Sequence, residues 1–171
     1  MKIPSRGFTF IEIIIYVAVL AVFSILVVDI ILVLTESFGR FKTANRINSS
    51  AEVALERMVR EIRLADDIDV SGSILNVSPG RLILKTIDPL TETTVQKEIF
   101  LAAAALTLQG DLSSPQSLTG SKVEATSLIF RLIETPLSKA IKIELELQSG
   151  EGNLQKSEKF YNTAILRRSY K

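Results

Sequence analysis

Hydrophobic positions fall into three regimes along this chain. The first is a continuous run. Sixteen residues, Ile13–Val28, carry no formal charge, and nearly all are Ile, Val, Leu, Ala or Phe. Extended to Phe8 and Leu34, the stretch holds only two charges, Glu12 and Asp29. At about 1.5 Å per residue it makes roughly 40 Å of helix, more than a bilayer core of about 30 Å. A buried core helix is the competing reading, but a domain of this size cannot enclose a helix apolar all round for that length. A transmembrane helix over 8–34 is predicted.

The second regime has a period of three to four. Ile47, Ala51, Leu55, Met58, Ile62 and Ala65 form one stripe of an amphipathic helix. Glu56–Arg60 and Arg57–Glu61 are i, i+4 pairs and read as its wetter side. Ser49 with Glu52 has the spacing of a capping box, which would start a new helix there. Against a restart, neither Pro nor Gly occurs between Gly39 and Gly72. One continuous helix through 35–67 is therefore expected.

Beyond Gly72 the period falls to two. Ser73–Val77 and Arg81–Ile87 flank Ser78-Pro79-Gly80 and predict a hairpin. Thr94–Leu101, Ser127–Ile133, Ala140–Leu147 and Lys156–Arg167 read as further strands, and Gln109 to Lys122 as a long loop. Alternation from Ile141 to Leu147 is strict, so one face is buried and one is wet. Gly150–Asn153 is a turn. The expected fold is α+β: a long N-terminal helix, membrane half plus amphipathic half, packed on a small antiparallel β-sheet over 68–171. Leu55, Met58 and Ile62 would cover the buried face of that sheet.

Composition narrows the chemistry. The 171 residues include no Cys and no His. That excludes disulfides, thiolate nucleophiles, the usual zinc sites and imidazole acid–base catalysis. No nucleophile elbow, triad or paired-carboxylate motif replaces them, so no catalytic residue and no cofactor is expected. A net charge of +1 gives no reason to expect a nucleic-acid partner. Asp66, Asp67 and Asp69 have two readings: a Ca²⁺ site, or solvated carboxylates at a helix end. The sequence leaves that choice open.

The chain's opening carries the most specific signal. Arg6-Gly7-Phe8-Thr9-Phe10-Ile11-Glu12, followed by the apolar run, resembles the N-terminus of type IV prepilins and type II secretion pseudopilins. The resemblance implies a leader over 1–7, basic through Lys2 and Arg6, cut between Gly7 and Phe8 by a prepilin peptidase. It implies N-methylation of Phe8. Glu12 becomes the fifth residue of the mature chain, where the family's Glu meets the N-terminal amine of a neighbouring subunit. It also implies a single pass through the inner membrane, N-terminus cytoplasmic and 68–171 exported, and then a pilus or pseudopilus built with other pilin-like subunits.

Three rival readings compete with this. Glu12 snorkels at an interface with no further role. The segment is an ordinary secretory signal, although the small-residue cleavage pattern is missing. The chain is a membrane-anchored exported enzyme or binding domain with an uncleaved anchor. Two features separate it from a major pilin: the membrane helix has no Pro, and Asp29 lies about 32 Å along from Phe8, which places it as a carboxylate at the far interface. The segment from Ala54 to Ala65 is similar to the helix of J-type minor pseudopilins. Together these imply a minor subunit, placed at a filament tip.

Overall fold

The computed structural model describes residues 9–87, 92–111, 113–136 and 138–167. One α-helix, α1, runs unbroken over Phe10–Leu64. Ser49 therefore starts no new helix. The chain divides into two compact units, Met1–Phe41 and Lys42–Lys171.

In the first unit α1 is exposed almost throughout, with large apolar side chains on every face from Phe10 to Leu34. Its hydroxyls are satisfied within the helix. Ser24 Oγ donates to the Leu20 carbonyl, Thr35 Oγ1 to that of Ile31 and Ser37 Oγ to that of Val33, each at 2.8 Å. Such back-bonding lets a hydroxyl sit in an apolar medium without a lost partner.

The second unit holds the last turns of α1 and eight strands: β1 (Asp67–Ile68), β2 (Arg81–Ile87), β3 (Thr94–Ala102), β4 (Ala105–Gly110), β5 (Gln116–Ser117), β6 (Val123–Glu134), β7 (Lys139–Ser149) and β8 (Lys156–Ile165). They form two antiparallel sheets, not one, in the orders β1-β2-β3-β4-β5 and β6-β7-β8. The two are separate because turns occupy the free edge of β6. Asn76 N–H donates to Phe130 O and Gly80 N–H to Leu128 O, while Leu128 N–H donates to Ser78 Oγ. Ala125 N–H bonds to Ala104 O in the β3–β4 turn. A Cβ on Gly80 would stand 2.8 Å from Leu128 O, so only glycine fits that approach.

Those bonds also correct two sequence expectations. Ser73–Val77 is not a strand. It contributes one isolated bridge, Ile74 to Arg81, before the chain turns onto β6. The stretch from Gln109 to Lys122 is not all loop, since β4 ends at Gly110 and β5 pairs back onto it. The β3–β4 hairpin turns at Ala103 and Ala104, both at positive φ. Turns of that kind favour Asn and Gly, and two alanines give the sequence no punctuation there.

The core lies between the C-terminal half of α1 and the two sheets. From the helix come Ile47, Ala51, Ala54, Met58 and Ile62; from the sheets come Leu82, Leu84, Ile99, Leu106, Leu128, Phe130, Ile141, Ile143 and Leu145. Met58 and Ile62 are fully buried, and Leu55 is half-buried against the same cluster. Full burial of a side chain of this size stabilises the fold by about 1.5–3 kcal/mol.

Glu61 departs from its sequence reading as a wet-side residue. Its side chain is only 4% exposed. Lys97 Nζ, reaching from β3, donates to Glu61 Oε2 at 2.7 Å, and Arg57 Nη2 lies 3.0 Å from Oε1. The i, i+4 partner is real, but the cation that permits burial comes from across the core.

On the outer face of the second sheet, Glu144 lies 2.9 Å from Arg131 Nε and 2.9 Å from Lys142 Nζ. Hydrogen bonds from Arg131 and Lys142 hold its carboxyl down at about 2, against an ordinary 4.5. Lys142 also stands 5.5 Å over the Tyr161 ring. The Ile141–Leu147 alternation thus separates a dry face from a face of paired charges.

Two outcomes follow for the fragment 42–171. Lys97→Met leaves the buried Glu61 with one half-exposed cation and should cost about 3 kcal/mol in urea unfolding. Adding Glu61→Leu should recover most of that loss; equal stability of both variants and the wild type would mean the pair is not buried. Glu144 is depressed in the folded state, so its contribution is present above about pH 4.5 and lost as pH falls through about 2. Thermal midpoints measured over that window should fall more steeply for the wild type than for Glu144→Gln, and equal slopes would show the carboxylate to be unpaired.

Candidate functional site

The site is built at the start of α1. The Thr9 carbonyl accepts from Glu12 N–H at 3.1 Å and Ile13 N–H at 3.3 Å, so the helix begins there. Glu12 lies in the first turn, where the unpaired N–H groups of a helix favour a negative charge. Thr9 and Glu12 also have the spacing of a capping box. The carboxylate, however, is turned along the helix: Tyr16 Oη donates to Glu12 Oε1 at 3.2 Å. Sequence reasoning passed over Tyr16, although four-residue spacing on a helix was signal enough to find it.

Among the described residues one helix is long and apolar enough to cross a membrane, with a mean hydropathy of 3.1 in its best window and none of that window buried by protein. Glu12 opens that stretch and Asp29 interrupts it. No charged side chain approaches Glu12 among the described residues; its neighbour is a phenol. Gly7 and Phe8, the expected cleavage pair, and the leader residues Lys2 and Arg6 lie outside the described residues.

The acidic cluster after α1 resolves into three separately engaged groups. Asp66 Oδ2 accepts from Ile87 N–H, Asp67 Oδ1 from Lys139 Nζ at 2.8 Å, and Asp69 Oδ1 from Ser71 Oγ at 2.6 Å. The Lys139 hydrogen bond holds the Asp67 carboxyl below its ordinary range, and the Ser71 and Gly72 hydrogen bonds do the same for Asp69. Among the described residues no group of three or more Asp, Glu, His or Cys is placed to hold a metal ion. Over the outer face of the first sheet an open groove is lined by Arg81, Gln96, Glu98 and Asp111. Its arginine is bonded to Glu98 at 2.6 Å.

Comparison of the chain with protein-family models, with curated proteins and with solved structures found no match. What the site can do follows from its chemistry. Among the described residues the carboxylate at the mouth of this apolar helix is bonded to a phenol, and a carboxylate can accept a cation. The helix below is long and apolar enough to anchor the chain in a bilayer. In cell membranes the whole chain should resist alkaline carbonate extraction, and the fragment 42–171 should be released. Release of the whole chain would show that α1 does not enter the bilayer.

Proposed function

We propose that this chain is a prepilin-like structural subunit. Its leader, residues 1–7, is removed between Gly7 and Phe8 by a prepilin peptidase, and Phe8 is N-methylated. It crosses the inner membrane once through α1 and exposes the sheets on the far side. It is then built into a type IV pilus-like or type II secretion pseudopilus filament with other pilin-like subunits. Its role is structural and not catalytic.

One observation carries this reading: Glu12 stands in the first turn of an otherwise apolar helix, five residues after Gly7. A carboxylate at the centre of a bilayer costs roughly 2.5–3.5 kcal/mol, and one in the first turn of a membrane helix still loses water unless a cation meets it. The N-terminal amine of a neighbouring subunit is such a cation, and as a secondary methylamine it stays charged. Glu12 then sets register: poorly satisfied alone, satisfied in the assembly. Two further features support the reading. A single long N-terminal helix packs its second half on antiparallel sheets, the expected layout of such subunits. The absence of Pro in the apolar run, with the J-type character of Ala54 to Ala65, favours a minor subunit at the tip.

The test is the mature protein in its own host. Intact mass and N-terminal sequencing should find a chain beginning at Phe8 and heavier by one methyl group. Glu12→Ala should be cleaved normally yet be depleted from sheared filaments. A mature chain that begins at Met1, or unchanged incorporation of the Ala variant, would overturn the proposal.

A further inference from the structure

We infer that a cavity beside the Glu61 ion pairs is an anion site, and that its ligand is a phosphate group, free or carried by a small molecule as a monoester. The site lies wholly within the unit Lys42–Lys171 and is independent of the leader and of the membrane reading. The cavity measures about 190 Å³ and is lined by Arg57 of α1, Lys97 of β3, Leu108 and Gly110 of β4, Ser113, and Gln116 of β5. Two cations share one carboxylate here. Lys97 Nζ and Arg57 Nη2 both meet Glu61, whose single charge is buried behind them. The side chains of Arg57 and Lys97 stay 40% and 32% exposed, so a ligand can reach both. One positive charge is left in surplus on the cavity wall. Among the described residues no carboxylate lines that wall. Asp111, the next residue after Gly110, turns its Oδ2 to the Gln96 N–H at 2.8 Å instead.

Donors outnumber acceptors around this space. An ammonium carries three N–H donors and a guanidinium five; Lys97 spends one on Glu61 at 2.7 Å. Ser113 Oγ accepts from Gly110 N–H at 3.2 Å, which leaves its O–H to donate elsewhere. Gln116, exposed on β5, adds an amide. Gly110 keeps the middle open: a Cβ there would stand 2.9 Å from Ser113 Oγ and 4.0 Å from Lys97 Cγ. These donors come from a helix, a strand and a strand connection, and so approach from different sides. A carboxylate offers two oxygens in one plane and suits a single fork. A phosphate offers at least three acceptor oxygens and suits convergent donors. The cavity has room for about six waters at roughly 30 Å³ each. A bare phosphate leaves part of that empty, and the organic group of a monoester can occupy the rest.

The test uses the full chain in a phosphorus-free detergent at fixed ionic strength. Inorganic phosphate, glycerol phosphate and acetate are titrated in separate arms, read by calorimetry and, for the first two, by phosphorus NMR line width. Phosphate should bind saturably with a Kd of about 1 mM or below, and acetate about tenfold more weakly. Tighter binding of glycerol phosphate assigns the monoester as the source; equal or weaker binding assigns the free ion. Arg57→Gln leaves Glu61 its Lys97 partner and should weaken phosphate about tenfold. Ser113→Ala leaves both cations in place and should weaken it about fivefold. Circular dichroism of both variants should match the wild type. Binding that does not saturate, acetate held as tightly as phosphate, or an affinity indifferent to either variant would overturn the inference, since phosphate would then meet only diffuse surface charge. A mature chain still beginning at Met1 would defeat the leader-processing proposal and leave this result standing.

Discussion

Everything in this structure depends on covering one helix. α1 is apolar on all sides in its first half and along one stripe in its second. Apolar surface left in water is costly in proportion to its area, at about 25 cal/mol per Å². The second half is covered by protein, through Ile47, Ala51, Ala54, Met58 and Ile62 against two sheets. The first half has no protein cover. Lipid is the solvent that suits it, and back-bonded hydroxyls at Ser24 and Thr35 fit that solvent.

Charges on the helix follow the same division. Glu61 enters the core because Lys97 and Arg57 meet it there. A buried carboxylate with partners is tolerated, and one without them is strongly destabilising. Glu12 and Asp29 sit in the half without protein cover and have no cation within the described residues. The reading proposed for Glu12 applies the logic that explains Glu61: a carboxylate in an apolar medium needs a cation. This links the packing of the folded unit to the assembly proposed for the membrane segment.

Much of this was legible from spacing alone. The unbroken apolar run, the three-to-four period of the stripe through Met58 and Ile62, and the strict alternation over Ile141–Leu147 each pointed to its element. What stayed hidden involved contacts distant in sequence. The β3–β4 hairpin turns on alanines at positive φ, where the tertiary fold overrides turn preference. Ser73–Val77 has strand composition, yet its neighbours spend their hydrogen bonds on the β6 edge, and that same edge divides the sheet in two. Glu61 looked like a surface partner of Arg57 because Lys97 is 36 residues away. At the candidate site, Glu12 was visible as a charge out of place, whereas Tyr16 was hidden as one more bulky residue in an apolar run.

One continuous helix that is long and apolar enough to cross a membrane in its first half and is packed by protein in its second should meet two solvents, lipid and core. Spin labels placed singly at Ile15, Val19, Val22, Leu26 and Met58 in the full chain, reconstituted in phospholipid bilayers, test it most directly. The four membrane positions should be accessible to oxygen and shielded from a water-soluble nickel complex whichever way they face, and Met58 should be shielded from both. Nickel access at Ile15 through Leu26, or shielding confined to one face of that segment, would contradict the account.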